Sequence, residues 1–403
     1  MISENTINAI SKKNNEPEWL VKSRLNSFYT YKNSEKPAFF RYGLNIVLNF
    51  DYNLDSISKF DLTTNAPDVD NDEITVIDIR KAVNEFPELI KEYIFSLAND
   101  KDDFFIILNR ALFSSGLFIR VKENINIDEP IIFNNFVNAN KFSYNLIILE
   151  KNSRLTLIED LKSDKSFNMY NSSFNEIIVK ENSVLNYGCI NTLSNESYNH
   201  NIIRTIVKEN GTMNCITGLF GSSFTKLETT TYLEGEYSNA NTFGVFFGKN
   251  KQQFDIHARV YHKGKNAKSN MLTKGIVKDS SKSVYRGLVN VSEGAVNSDG
   301  YQKEDILILS ENAEADSIPE LEINNNDVRC THGATISQID KEKLFYLMSR
   351  GLSEEESRRL IVEGFFEPLI KNVQSEFIQD KFRKTFENLL KNEINFEFRK
   401  KGE

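Results

Sequence analysis

The sequence predicts a mainly β protein, a solenoid of stacked strand-turn-strand units held between two helical regions. Its middle region repeats one turn: Leu149-Glu-Lys-Asn-Ser-Arg-Leu-Thr-Leu, Val179-Lys-Glu-Asn-Ser-Val-Leu-Asn-Tyr and Val207-Lys-Glu-Asn-Gly-Thr-Met-Asn-Cys. Looser copies begin at Leu233, Tyr261, Val291 and Leu309, most of them roughly 25 to 30 residues apart, a period that signals stacked architectures. No helical stretch of useful length interrupts the copies, which excludes βαβ units.

Within each unit, Asn or Gly supplies the positive φ of a sharp corner. Alternation in strands such as Arg154-Leu-Thr-Leu-Ile-Glu leaves one face buried and the other wet. A coil buries its apolar face only against its neighbours, so the terminal coils need caps, and the flanking helices are expected to supply them. The expected divisions are a mostly helical N-terminal domain over residues 1–115, the solenoid over 116–325 and a C-terminal helical domain over 326–403.

The first region carries three helical patterns. Pro17 opens one with Trp19, Leu20, Leu25 and Phe28 on a shared face; the others run Ile79 to Leu97 and Asp102 to Leu112. In the last region Asp340 caps a helix from Lys341 to Arg350 that Gly351 closes. Ser353 and Glu356 form a capping box for the next helix, which Pro368 bends or interrupts, and a final amphipathic helix spans Glu376 to Arg399.

Composition narrows the function. A net charge of −8 argues against a nucleic-acid-binding surface, which needs clustered Lys and Arg. Three scattered cysteines, Cys189, Cys215 and Cys330, fit a reducing compartment better than a disulfide framework. No apolar run is long enough to span a membrane and the N-terminus lacks a signal-like stretch, so a cytoplasmic protein is expected.

Catalytic motifs are missing. Gly244-Val-Phe-Phe-Gly-Lys249-Asn250 is one residue short of a phosphate-cradling loop and has Asn where Ser or Thr should hold magnesium. Neither G-x-S-x-G nor H-E-x-x-H occurs, so no enzyme activity is expected. His200 reads as part of a polar turn, and His257 and His262 point to opposite faces of one strand. In an extended Cys330-Thr-His332, by contrast, thiol and imidazole project to the same side, two ligands suited to iron, zinc or an iron–sulfur cluster.

Around this segment the chain resembles the SufB/SufD family of SUF iron–sulfur cluster assembly. Asp327-Val-Arg-Cys-Thr-His-Gly-Ala-Thr-Ile-Ser-Gln-Ile-Asp340 and Leu344-Phe-Tyr-Leu-Met-Ser-Arg-Gly-Leu-Ser-Glu-Glu-Glu-Ser357 are similar to its C-terminal signature. Leu108 to Val121, Glu150 to Glu159 and Tyr285 to Val291 match as well, so the likeness covers about residues 105–370.

The resemblance implies a right-handed parallel β-helix between helical domains. It also implies a complex with a SufB-type paralogue and the ABC-type ATPase SufC, which would hydrolyse the ATP while this chain binds no nucleotide. The docking region for SufC would comprise Phe345, Tyr346, Leu347, Arg350, Leu360, Ile361 and Phe365. Glu304 stands where SufB-type chains carry a cysteine, and Gly333 where they carry Glu after the signature His; with Pro319-Glu-Leu-Glu-Ile323 these favour the SufD type. His332 then matches a histidine implicated in an iron–sulfur cluster assembled transiently at the subunit interface, with Cys330 a second, less favoured ligand.

Two alternatives remain: a SufB-like homodimeric cluster scaffold, and a β-helix carbohydrate-active enzyme. The enzyme needs clustered carboxylates on one strand face. Glu181, Glu209, Glu293 and Glu311 instead read as solvated corners.

Overall fold

The computed structural model describes residues 2–34, 46–57, 60–64, 67–98, 104–163 and 168–393. In chain order it contains α1 (Glu4–Lys13), α2 (Glu18–Asn33), β1 (Val69–Asp70), β2 (Ile74–Asp78), α3 (Ile79–Glu85), α4 (Pro87–Tyr93) and α5 (Phe104–Leu112). The solenoid strands follow: β3 (Leu117–Val121), β4 (Ile131–Phe136), β5 (Lys141–Leu149), β6 (Arg154–Lys162), β7 (Tyr170–Val179), β8 (Val184–Thr192), β9 (Tyr198–Val207) and β10 (Thr212–Leu219). Then come β11 (Phe224–Leu233), β12 (Asn239–Gly248), β13 (Gln253–His262), β14 (Lys268–Val277), β15 (Lys282–Val291), β16 (Asp299–Ile308), β17 (Glu314–Ile323) and β18 (Arg329–Gln338). Three helices close the chain: α6 (Lys341–Ser349), α7 (Glu354–Lys371) and α8 (Glu376–Glu393).

Successive strands join two different sheets, so each coil adds one strand to each. Odd strands from β3 to β17 pair in parallel in one sheet and even strands from β4 to β18 in the other. The result is the expected parallel β-solenoid, of about seven turns. Its corners are left-handed residues in a column, Asn124, Asn152, Asn182, Asn210, Tyr237, Asn266 and Asn297, recurring every 27 to 31 residues. Asparagine adopts this conformation at low cost because its short side chain bonds locally. Here it also forms a ladder, Asn182 Nδ2 donating to Asn152 Oδ1 at 2.9 Å and Asn152 Nδ2 to Asn124 Oδ1 at 2.8 Å.

Glycine plays a different part from the one expected. Only Gly116 and Gly351 have positive φ among the described glycines. Gly235 is needed for close approach instead, since a Cβ there would sit 1.9 Å from the backbone nitrogen of Glu209, and Tyr237 takes the left-handed corner of that copy.

The flanking helices cover faces instead of capping ends, so the one-wet-face expectation fails for most strands. Val362, Phe366, Leu369 and Ile370 of α7 and Ile378, Phe382, Phe386 and Leu390 of α8 pack on Ile158, Ile190, Ile216, Phe243 and Ile276 of the even sheet. On the odd sheet, α5 lays Phe105, Leu108 and Leu112 near Phe142 and Tyr170. Strands buried on both faces read as near-continuous apolar or small-residue runs. Between the sheets lies a third core that runs from Leu117 and Leu155 to Ile306 and Cys330.

Several boundaries differ from expectation. The helix expected over Ile79–Leu97 is two, broken before Pro87, whose missing N–H makes it a helix start. Pro368 lies inside an unbroken α7; the residue four before it is Gly364, which has open space around it. Beyond Glu393 the expected last helix falls outside the described residues, as does the start of the one expected at Asp102. The solenoid continues past residue 325, because Asn324–Asp327 is one more corner, where Asp327 accepts from the Asn297 amide at 2.7 Å. Cys330 and His332 therefore lie on the last strand.

Candidate functional site at the open end of the solenoid

The two ends of the solenoid are built differently. At the start, β2 pairs antiparallel with β3 and β1 with β2, closing the odd sheet. At the finish, β17 and β18 are the outermost strands, and no described strand pairs beyond them. Most residues of β18 are exposed. An unpaired strand edge presents free N–H and C=O groups to a partner.

Register places the predicted ligands at this edge. Cys330 pairs with Gly300 and His332 with Gln302 of β16, in columns that continue through Ser269 and Met271. Those columns face the interior, and Cys330 packs against the interior core. Both side chains thus lie on the inner wall at the mouth, as alternation demands. Cys330 is half-buried; burial pushes its thiol pKa up, the Gly300 amide opposes this, and Asp299 adds to the rise. His332 is exposed.

One coil beneath lie two residues not anticipated as site members. Gln302 is 0% exposed and Glu304 1% exposed. Neither the Gln302 amide atoms nor the Glu304 carboxyl oxygens make a well-formed hydrogen bond, and the Tyr285 and Ser317 hydroxyls of the facing sheet are in the same condition. Burial holds the Glu304 pKa well above the usual carboxylate range, with the Ser317 hydroxyl beside it acting in the opposite sense. Strand parity carries the signal for these residues: Gln302, Glu304 and Ile306 share one face, and Ile306 is core. Among the described residues no three His, Cys, Asp or Glu side chains are grouped closely enough to hold a metal.

Early coils, by contrast, satisfy much of their inner polar side chains. Asn145 donates to Asn175 at 2.6 Å, Asn175 to Asn201 at 2.9 Å, and Asn201 to the Cys189 sulfur at 3.1 Å. Tyr187 donates to Glu159 at 2.8 Å. Burial pushes the Cys189 thiol pKa far up, and that of Cys215 to about 12.

His200 is buried on β9 rather than in a turn, 3.5 Å from Glu228. Acidic residues are also more buried than the turn reading implied. Glu228 and Asp255 lie on adjacent coils, but Lys226 reaches both at 3.1 and 3.2 Å, and Arg259 and Arg286 bind them at 2.8 and 3.0 Å. Both carboxylates are thus held in ion pairs with cationic side chains.

The expected docking residues lie on the first two C-terminal helices, with Arg350 the cap that ends α6. No residue of α6 is buried; Phe345 is 73% exposed, and Tyr346, Arg350 and Leu360 are exposed as well. Leu347, Ile361 and Phe365 are half-buried. Phe365 is tied to the sheet, since Lys274 Nζ donates to its carbonyl at 2.7 Å and lies 4.6 Å from its ring centre.

Comparison with known families decides the wider assignment. Residues 132–365 match the family described as SUF system FeS cluster assembly, SufBD core domain, and residues 57–133 match the SufBD protein N-terminal region. The chain belongs to the SufBD family. Iron–sulfur cluster assembly SufBD family proteins of Staphylococcus saprophyticus and Staphylococcus aureus are each 35% identical to it over 304 residues, and one of Staphylococcus haemolyticus is 34% identical. Each alignment covers 74% of this chain and 65% of the relative, so this SufBD chain matches just under two thirds of their length.

Proposed function

We propose that this SufBD protein is the SufD-type scaffold of a cytoplasmic cluster-assembly complex. Its open β17–β18 edge pairs with a SufB-type paralogue, and α6 with the start of α7 receives the SufC ATPase. The observation that carries this reading is the uncapped end: among the described residues no strand pairs beyond β17 or β18, and the mostly exposed β18 bears Cys330 and His332. Exposed Phe345, Tyr346 and Leu360 supply the apolar anchors a docking helix needs, next to Arg350.

In this reading the chain contributes no enzymatic step, and ATP hydrolysis belongs to SufC. Iron and sulfide are cargo. The imidazole and thiol at the mouth suit iron, and the partner edge supplies the ligands this chain lacks. Movement of SufC would act on α6 and α7 as a rigid-body switch that opens the interface.

The test is co-expression with SufB- and SufC-type proteins from the same genome. The expected result is one stable complex for wild type and for His332→Ala, with lower cluster yield in the variant. No complex at all would remove the scaffold reading, and a self-paired dimer that holds a full cluster would replace it with the homodimeric one. Unchanged cluster yield would remove His332 as a ligand.

A further inference from the structure

The cluster-assembly reading assigns His332 and Cys330, but leaves the groups beneath them without a role. Glu304 and Gln302 are buried polar side chains lacking well-formed hydrogen bonds at all four polar atoms. A buried donor or acceptor left unsatisfied is costly, so such a pair persists where something else occupies its lone pairs. The pair lies at the last enclosed coil, below a mouth that no described strand covers.

We propose that the mouth holds a ferrous ion through a carboxylate oxygen of Glu304 and the imidazole of His332, with the Gln302 amide oxygen as a further hard donor. Gln302 lies directly under His332 in register and Glu304 is two residues along the same strand. Strand spacing and rise then put the Cα atoms of Glu304 and His332 on the order of 8 Å apart, a span that a carboxylate and an imidazole bridge when they share an ion. The donor set of oxygen and imidazole suits iron in its divalent state. Among the described residues fewer than three His, Cys, Asp or Glu ligands converge here, so water or the partner edge completes the shell. The inference rests on the proposed role in cluster assembly and adds Glu304 as a ligand.

The test titrates the full-length chain, alone and with its SufB- and SufC-type partners, with Fe(II) under anaerobic conditions. Co(II) serves as a visible probe of the ligand set. One ion per chain is expected, with affinity at least tenfold weaker in Glu304→Gln and in His332→Ala. Glu304→Leu guards against a folding artefact, because removing a buried acid without a well-formed partner should hold or raise the melting temperature while still abolishing the Co(II) band. Wild-type affinity in both Glu304 variants would overturn the assignment. So would the absence of any bound ion with and without partners, which would leave ordered water as the occupant. Failure of the complex to form, with Glu304-dependent binding intact, would remove the scaffold reading and keep the ligand.

Discussion

The two ends of the solenoid share one strand pattern and differ in what surrounds it. At the first coils, the antiparallel β1–β2 pair closes an edge, α5 covers a face, and inner polar groups bond in chains from Asn145 to Cys189. At the last coils the edge is bare, the inner wall carries thiol and imidazole, and Glu304 and Gln302 lack well-formed hydrogen bonds. The first end is built for stability. On the proposed reading the second keeps its bonding capacity for a ligand or partner, as functional sites commonly do.

Glycine substitutions should separate the ends most widely. Gly116 has φ of +138° and a Cβ there would sit 1.9 Å from the Tyr144 carbonyl oxygen, whereas Gly333 has open space. Gly116→Ala should cost roughly 3 to 5 kcal/mol in denaturant unfolding, and Gly333→Ala under about 0.5. Equal costs would erase the contrast.

Next in size is a pH effect at the closed end. Burial raises the Glu176 carboxyl to about 7, although Tyr144, Ser96 and the Leu97 amide all donate to it. The folded state therefore holds a proton that the unfolded chain releases near the ordinary carboxylate pKa. The stability from this group is fully present below that value and is lost as pH rises through about 7. Relative to Glu176→Gln, the wild type should lose roughly 3 kcal/mol of unfolding free energy between pH 4 and 8. A pH-independent difference would contradict the burial argument.

Smaller still is the corner effect. Tyr237 holds φ of 56° where other coils of its column use Asn. Tyr237→Asn should stabilise by up to about 1 kcal/mol in the same assay, and a loss would show that the ring contributes packing. Phe345→Ala should leave stability within about 0.5 kcal/mol, since the ring is exposed, and on the proposed docking reading should weaken binding of a SufC-type protein measured by calorimetry.

Much of this architecture was legible in the residues. The repeated Glu-Asn corners announce the period, and Asp340 caps α6 as read, its Oδ1 accepting from the Glu342 amide at 2.9 Å. The cover was not legible, because periodicity reports which faces are apolar and cannot say which helix lies on them. That is why α7 and α8 looked like end caps and the outer faces looked wet. Cys-x-His was visible as a same-side pair, but its place on the inner wall needed the register with Gln302. Glu304 was seen only as a substitution, because one strand does not show what its neighbours leave unpaired.

The most direct test of the central contrast is amide hydrogen exchange on the full chain, alone and in the proposed complex with SufB- and SufC-type proteins. The account predicts new protection concentrated in β17, β18 and α6, with β3 to β9 unchanged. Protection appearing instead along the early coils, or none on β18 in a complex that forms, would contradict it.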